Sequence, residues 1–378
     1  MKKRIILINQ ATGPLFIDMC NAYLKKYSEV ILITGKIMPT YAELDSKITI
    51  VIKKKLNSLK SYTRIYTWMV FFFQSLIYIL LNKKTDKILF VSNPPILPFA
   101  GYFLSRIKKF EYDVLVYDIY PDALLNFGYL SEKSFIYKMW NKLNKRTYKH
   151  ANRIFTISEF MKNIISRTSS KREIEVVYPW VDISFIKPKN KNENWFVKAH
   201  NLIDKKVVLY SGNMGVTHDL ITVLETAKIL KEKQDNIYHF LFIGDGVQLK
   251  KLIKFKEDNL LENVSFLSFQ KANVLPFSFT SADYGIVSLG TGAEGLSVPS
   301  KMFYLLAAGC SIISISDNGS EIERLVNENK LGTTIEPGKI NDLVNFLRTT
   351  SDAELNQAKI NSRKLSYSFT FKNAEKFL

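Results

Sequence analysis

Residues 294–321 read EGLSVPSKMFYLLAAGCSIISISDNGSE, and that order of residue types is one α/β unit. Gly295 opens a loop. Pro299 suits a first helical turn, because the N–H it lacks would have no intrahelical partner there. Lys301–Ala308 then predicts an apolar helix. Gly309 ends it, since glycine takes the left-handed cap conformation at no steric cost. The run SIISIS, Ser311–Ser316, has the length and apolarity of a strand buried on both faces. Asp317-Asn318-Gly319-Ser320-Glu321 turns the chain into another helix, so Glu321 sits just past a strand's carboxyl end.

Working outward, the same alternation recurs on both sides. Before residue 294 the spacing predicts strands at Lys206–Ser211, His239–Gly244, Val264–Leu267 and Tyr284–Val287, and after it one at Gly332–Ile335. The first half predicts Arg4–Asn9, Val30–Thr34, Ile48–Ile52, Ile88–Ser92, Asp113–Asp118, Arg153–Ile157 and Glu175–Tyr178. Amphipathic segments such as Leu15–Lys26, Phe135–His150 and Leu220–Lys231 fill the gaps. Alternating strands and helices make an α/β chain with parallel sheets, and 378 residues are enough for two such domains. The break is expected in the polar stretch at Asp182–Asp204. The expected domains are therefore 1–183 and 204–365, with 366–378 a C-terminal helix.

The chemistry is expected at the carboxyl ends of strands, where open α/β sheets bind their ligands. After Ser211 comes Gly212-Asn213-Met214-Gly215, a turn whose glycines let the backbone approach a phosphate. Gly244-Asp245-Gly246 follows the next strand. Either glycine turn also reads as a plain strand-to-helix connection, and neither domain opens with the complete GxGxxG of a nicotinamide dehydrogenase. In the 294–321 stretch, Ser300 and Lys301 bring a hydroxyl and an ammonium to a helix start, a cradle suited to a diphosphate. In the first half, YDIYPD sets Asp118 and Asp122 just beyond a strand. A carboxylate there serves as a base, as a holder of a sugar hydroxyl, or only as a helix-start acid.

The formal net charge is +18. Residues 1–183 hold 29 Lys plus Arg against 14 Asp plus Glu, and the remainder 24 against 21. That one-sided field draws a polyanion: nucleic acid, an anionic membrane or a phosphorylated substrate. A lysine-rich genomic bias is the alternative, although it does not favour one half. No nucleic-acid-binding module is recognisable. Two cysteines and four histidines, none in a CxxC pair, argue against a disulfide framework or a structural zinc. The start MKKRIILINQ reads as a first strand rather than a signal peptide, and a reducing cytoplasm fits. Tyr66–Leu81, YTWMVFFFQSLIYILL, is shorter than the ~20 residues of a bilayer span and contains Gln74. The basic stretch before it (Lys53, Lys54, Lys55, Lys60, Arg64) makes it a helix lying in the membrane interface, with a buried core helix as the other reading.

The succession YSGNMG, FIGDG, NVSFLSF, ADYGIVSL and EGLSVPSKMFYLLAAGCSIISISDNGSE resembles family 4 glycosyltransferases of the GT-B fold. YDIYPD, ANRIFTISEFMKNII and YPWVD are similar to the first domain of its bacterial surface-polysaccharide (O-antigen and capsule) branch. The resemblance covers nearly the whole chain, and its most specific part is VPSKMFYLLAAG followed by SEI. It implies two Rossmann-like domains facing across a cleft. The second holds a nucleotide sugar, the first an acceptor, and the last helix packs back on the first. It also implies metal-independent transfer that retains the anomeric configuration, without a cofactor. The acceptor is a lipid-linked (undecaprenyl-diphosphate-type) oligosaccharide at the inner face of the cell membrane, and the enzyme sits in the cytoplasm, peripheral to that anionic surface. By residue, it implies Gly212, Asn213, Gly215, Gly244, Gly246, Leu296, Ser297, Pro299, Ser300, Lys301 and Glu321 at the donor, and Asp118 and Asp122 at the reacting centre. The paired glutamates of many members are missing: Met302 stands eight after Glu294, and counting from Gly309 puts Leu296 and Tyr304 at the two places. Lys301 is then expected to supply the phosphate charge and Glu321 the ribose contact. A sugar-nucleotide epimerase of the same fold, or a non-catalytic partner of another transferase, are the competing readings.

Overall fold

A computed structural model describes residues 3–38, 41–57, 61–82, 85–126, 128–169, 173–289 and 298–378. The chain divides into two compact units, Met1–Pro179 with Phe371–Leu378, and Trp180–Thr370.

Each unit is built on one parallel sheet. The strands in chain order are β1 (Arg4–Ile8), β2 (Ala11–Thr12), β3 (Glu29–Thr34), β4 (Lys36–Ile37), β5 (Thr49–Ile52), β6 (Lys87–Val91), β7 (Glu111–Val116), β8 (Ile154–Thr156) and β9 (Ile174–Val176) in the first unit. The second holds β10 (Lys206–Ser211), β11 (Tyr238–Ile243), β12 (Val264–Leu267), β13 (Tyr284–Ser288), β14 (Ser311–Ile315) and β15 (Gly332–Ile335). The first sheet runs β5-β3-β1-β6-β7-β8-β9 and the second β12-β11-β10-β13-β14-β15, with β2 and β4 paired apart. Strands such as RIILI, KILFV and SIISI are apolar along nearly their whole length because helices cover both faces of a parallel sheet. In both sheets the strand order reverses beside the unit's first long strand. That gives one switch point between β1 and β6 and another between β10 and β13.

The second unit's core joins Val208, Tyr210, Phe240, Phe242, Ile286 and Ile313 of the sheet to Leu224, Ala227, Leu230, Leu343 and Leu347 of its helices. Gly285 permits the close approach of helix Lys301–Ala308: a Cβ there would lie 2.5 Å from the Leu305 side chain. Residues around 182–204 fold into this unit. Asn194, fully buried, caps helix Trp195–Ala199 and donates to the Phe277 carbonyl at 2.8 Å.

The long helix Asp352–Ser366 ends at the point where the terminal helix was expected to begin, and a short 3-10 helix covers Phe371–Phe377. That last segment lies on the first unit. Tyr23 Oη and Arg153 Nη1 both donate to the Phe377 carbonyl, at 3.1 and 3.0 Å, and the Phe377 ring lies 4.6 Å from Phe155.

Helix Ser61–Leu81 is longer than the apolar run alone predicted. Among the described residues it is the one helix long and apolar enough to cross a membrane by length and composition, and 22% of its apolar window is buried. Thr67, Phe71, Ser75 and Ile79 face inward, while Tyr62, Ile65, Tyr66, Met69, Phe73, Ile77, Leu80 and Leu81 are exposed. Phe71 therefore belongs to the core, whereas Phe73 lies on the outer face. Gln74 accepts from the Lys54 backbone at 2.8 Å, and Gln10 Nε2 donates to the Thr67 carbonyl at 3.0 Å, so one side of the helix is tied down at two points two turns apart.

Candidate active site

At the second switch point, the loops after β10 and β11 are stitched into one surface. Gly212 N donates to the Ile243 carbonyl at 2.9 Å, Met214 N to the Asp245 carbonyl at 2.7 Å and Gln248 N to the Met214 carbonyl at 3.1 Å. The stitching requires glycine. Gly244 has φ +143°, and a Cβ there would lie 2.0 Å from the Gly212 carbonyl oxygen. Gly246, at φ +153°, is packed against the Met214 backbone in the same way. Gln248 Nε2 donates to the carbonyls of Gly215 and, at 2.8 Å, His218, which fixes the far side of the loop.

Onto this surface projects Lys301, the first residue of helix Lys301–Ala308. Its Nζ would lie 3.2 Å from a Cβ at Gly212 and stands 3.8 Å from the centre of the Tyr210 ring. The ammonium is buried and has no hydrogen-bond acceptor among the described residues. A cation so placed costs free energy unless something negative joins it. Burial accordingly pulls the Lys301 ammonium down to about 7. Tyr210 Oη donates to the Asn213 carbonyl at 2.6 Å, and His218 Nδ1 lies 2.8 Å from both. Burial first, and the Lys301 charge second, push His218 down to about 4, so it is neutral at pH 7. Asn213 and Ser300 remain exposed, and Pro299 precedes the helix, with its carbonyl accepting from Met302 N at 3.1 Å.

Glu321 begins helix Glu321–Glu328 past the end of β14. It is 2% exposed, with Oε1 held by Arg324 at 2.5 Å. Ser320 caps that helix by accepting from Glu323 N at 3.0 Å. Leu296 and Ser297 lie outside the described residues.

The first unit's switch point is built differently. Asn93 Nδ2 donates to Asn9 Oδ1 at 3.0 Å, Gln10 N donates to the Asn93 carbonyl at 2.9 Å, and Ser92 Oγ accepts from Tyr117 N at 2.9 Å. Asp118 follows. Its side chain reaches the surface and carries no hydrogen bond or ion pair among the described residues, and the protein packed around it strips part of its hydration, which pushes its carboxyl up to about 6. Asp122 opens the short helix Asp122–Asn126 and accepts from Tyr137 Oη at 3.2 Å, a structural partner that leaves it less free than Asp118.

Residues 191–364 match the family Glycosyl transferases group 1. The matched stretch lies wholly within the second unit, Trp180–Thr370. The chain is 24% identical over 256 residues to WbjE of Pseudomonas aeruginosa, named as a glycosyltransferase, covering 68% of this chain and 63% of that one. It is 27% identical over 203 residues to WcaI of Escherichia coli K12, a protein named for glycosyl transfer in colanic acid biosynthesis, covering 53% and 49%. The chain thus spans less than two thirds of either relative. Among solved structures, Anabaena HepE in complex with UDP and glucose superposes with a TM-score of 0.73 at 13% identity, over 99% of this chain and 98% of that one. Two parallel-sheet, Rossmann-like units are the GT-B architecture.

Within the second unit, the structure brings Gly212, Asn213, Gly215, Gly244, Gly246 and Lys301 to one switch point. The residues missed from sequence are Tyr210, His218 and Gln248. Tyr210 looked like one more apolar strand residue, and only the parity of β10, which turns its ring under Lys301, separates it from its neighbours. Among the described residues no group of three or more His, Cys, Asp or Glu is positioned to hold a metal ion, and both cysteines are free and buried.

Proposed function

We propose that the protein is a glycosyltransferase of bacterial surface-polysaccharide assembly. In this reading it transfers a sugar from a nucleotide-sugar donor to a lipid-diphosphate-linked oligosaccharide, with retention and without a metal. The observation that carries the reading is the buried Lys301 ammonium, without an acceptor among the described residues, against Gly212 at the switch point of the unit that matches group 1 glycosyl transferases. A diphosphate set there gains a charge-assisted bond, backbone approach at the glycines and the start of a helix. The same groups stabilise the charge that grows on the leaving diphosphate as the glycosidic bond to the donor breaks. Glu321, buried beyond β14, is assigned to the ribose. Asp118 is assigned to the acceptor hydroxyl, since a carboxylate raised to about 6 is still a base at pH 7.

The basic excess of the first half and the exposed stripe of helix Ser61–Leu81 support peripheral attachment to the anionic inner face of the cell membrane, with the enzyme in the cytoplasm. The names of WbjE and WcaI, and the UDP and glucose bound to HepE, favour this chemistry over an epimerase or a non-catalytic partner. The deciding experiment incubates the purified protein with a panel of nucleotide sugars and reads products by mass spectrometry. Slow donor hydrolysis or transfer is expected. An isomerised sugar nucleotide, or no turnover of any donor, would overturn the reading.

A further inference from the structure

On helix Ser61–Leu81, Arg64 and Trp68 stand one turn apart and continue the inward row of Phe71, Ser75 and Ile79 toward the helix start, with the guanidinium 5.4 Å over the indole. The Trp68 ring meets Tyr120 edge-on at 6.1 Å, and Tyr120 stacks on Trp140 at 5.9 Å with 19° between planes. The four side chains form one continuous pile, closed at its far end by Phe99, 6.1 Å from Trp140. Asn144 Nδ2 holds the Tyr120 carbonyl at 2.7 Å.

The pile contains three buried N–H donors that have no acceptor among the described residues: Arg64 Nε, Trp68 Nε1 and Trp140 Nε1. Each such donor costs about 1–3 kcal/mol, and native structures seldom leave several together. All three can only donate, and one is cationic. A hydroxyl oxygen accepts too, but three donors with a cation among them are matched best by a negatively charged group carrying several acceptor oxygens. Arg64 and Asp118 both act electrostatically on the Tyr120 hydroxyl, in opposite senses, which places the pile beside the carboxylate assigned to the reacting hydroxyl.

We propose that Arg64, Trp68, Tyr120 and Trp140 form the seat for the phosphate or diphosphate of the acceptor. The proposal rests on the transferase reading and names the part of the substrate that the first unit holds. One helix then serves both parts of such an acceptor: its exposed stripe of Tyr66, Phe73 and Ile77 suits acyl chains, and its inward Arg64 and Trp68 suit the diphosphate that joins a lipid to a sugar.

The test titrates full-length protein in the Lys301→Ala background, which removes the donor site's own charge, with farnesyl diphosphate and, separately, with a neutral farnesyl glycoside. Tryptophan fluorescence and calorimetry supply the readouts. The diphosphate is expected to bind and the glycoside to bind at least tenfold more weakly. Arg64→Ala should lower diphosphate affinity about tenfold or more, as loss of a charge-assisted bond requires. Trp140→Phe, which keeps the ring and deletes the N–H, should lower it several-fold. Equal binding of both ligands, or an Arg64→Ala variant of intact fold that binds the diphosphate as before, would overturn the proposal. Donor hydrolysis by Arg64→Ala in an otherwise wild-type chain separates the two layers: hydrolysis retained with transfer lost fits this seat. A wild-type protein that turns over no donor sinks the transferase reading, while the diphosphate titration still reads the anion site by itself.

Discussion

The two switch points are the same place in the same topology, yet they are made of different material. Between β10 and β13 the surface is backbone, drawn tight by glycines at positive φ, with a single buried ammonium against it. Between β1 and β6 it is side chain: Asn9, Gln10, Ser92 and Asn93 tie one another, and Asp118 stands open nearby. A diphosphate is small, highly charged and common to every donor, so backbone N–H groups and a lysine suffice for it. An acceptor is a set of hydroxyls in a particular arrangement, and amide and carboxylate side chains discriminate among those. The glycines underline the contrast. A Cβ at Gly244 would strike the Gly212 carbonyl, whereas one at Gly13, after β1, would have nothing within 4 Å.

The largest effect is therefore expected from Gly244→Ala. The added methyl cannot be accommodated at φ +143° with a backbone oxygen 2.0 Å away, so the loops after β10 and β11 must separate. Thermal unfolding should fall by an amount equivalent to several kcal/mol, and diphosphate binding should be lost. Gly13→Ala should leave the unfolding midpoint unchanged. If the two variants unfold alike, the distinction between a backbone-built and a side-chain-built edge is wrong.

Asp118→Asn comes next and bears on the other edge. The change keeps the shape and removes the base, so transfer should slow about 10²–10⁴-fold while donor affinity, measured by calorimetry, stays as it was. In the parent protein kcat/KM should rise with pH through about 6, the value to which its surroundings raise this carboxyl, and the variant should lose that limb. Full activity in the variant would reduce Asp118 to a surface acid.

Lys301→Ala should weaken diphosphate binding on the order of tenfold or more. The pH dependence is more telling. A lysine lowered to about 7 binds fewer protons in the folded chain than in the unfolded one between about 7 and its ordinary value. Its burial therefore penalises the fold fully at low pH, and the penalty is relieved as pH rises through that window. A bound diphosphate reverses this by restoring the charge. Affinity should fall as pH climbs above about 7, and binding at pH 8 should take up a proton, visible by calorimetry in two buffers of different ionisation heat. Pure His218 titration would instead put the dependence near 4.

Much of this was legible in the sequence, for a physical reason. Strands buried on both faces must be apolar throughout, so RIILI, KVVLYS and SIISI announce themselves, and Gly244 and Gly246, after β11, mark where backbone comes close. Helix Lys301–Ala308 was bounded by its proline and its Gly309 cap, which takes φ +73°. What stayed hidden depends on direction and on distant partners. Gln10, unremarkable in the sequence, and Gln74 tie one side of the long helix to the rest of the unit through bonds across 57 and 20 residues. Whether Trp68 faces lipid, core or ligand is a matter of rotation about a helix apolar nearly all round, and composition carries no signal for it. Asp118 and Asp122 look alike in YDIYPD, and only the Tyr137 hydroxyl separates them.

The smallest effect, and the one that tests the outer surface of the first unit, is at the membrane. Lys55 is exposed in the basic segment ahead of helix Ser61–Leu81, and Phe73 is exposed on the helix itself. They contribute by different physics. A lysine near an anionic surface is worth about 1 kcal/mol, roughly fivefold in affinity, and salt screens it within a Debye length. An inserted phenylalanine contributes through apolar area, which salt leaves untouched. Lys55→Ala should therefore weaken flotation with anionic vesicles about fivefold at low salt and hardly at all at high salt. Phe73→Ser should weaken it comparably at both. Neither substitution should alter hydrolysis of soluble donor, because neither side chain belongs to the second unit. Binding that vanishes wholly with salt would leave the stripe from Tyr62 to Leu81 without a bilayer to explain it and would leave only the charge of the first half at work. Binding indifferent to salt would remove that charge from the attachment.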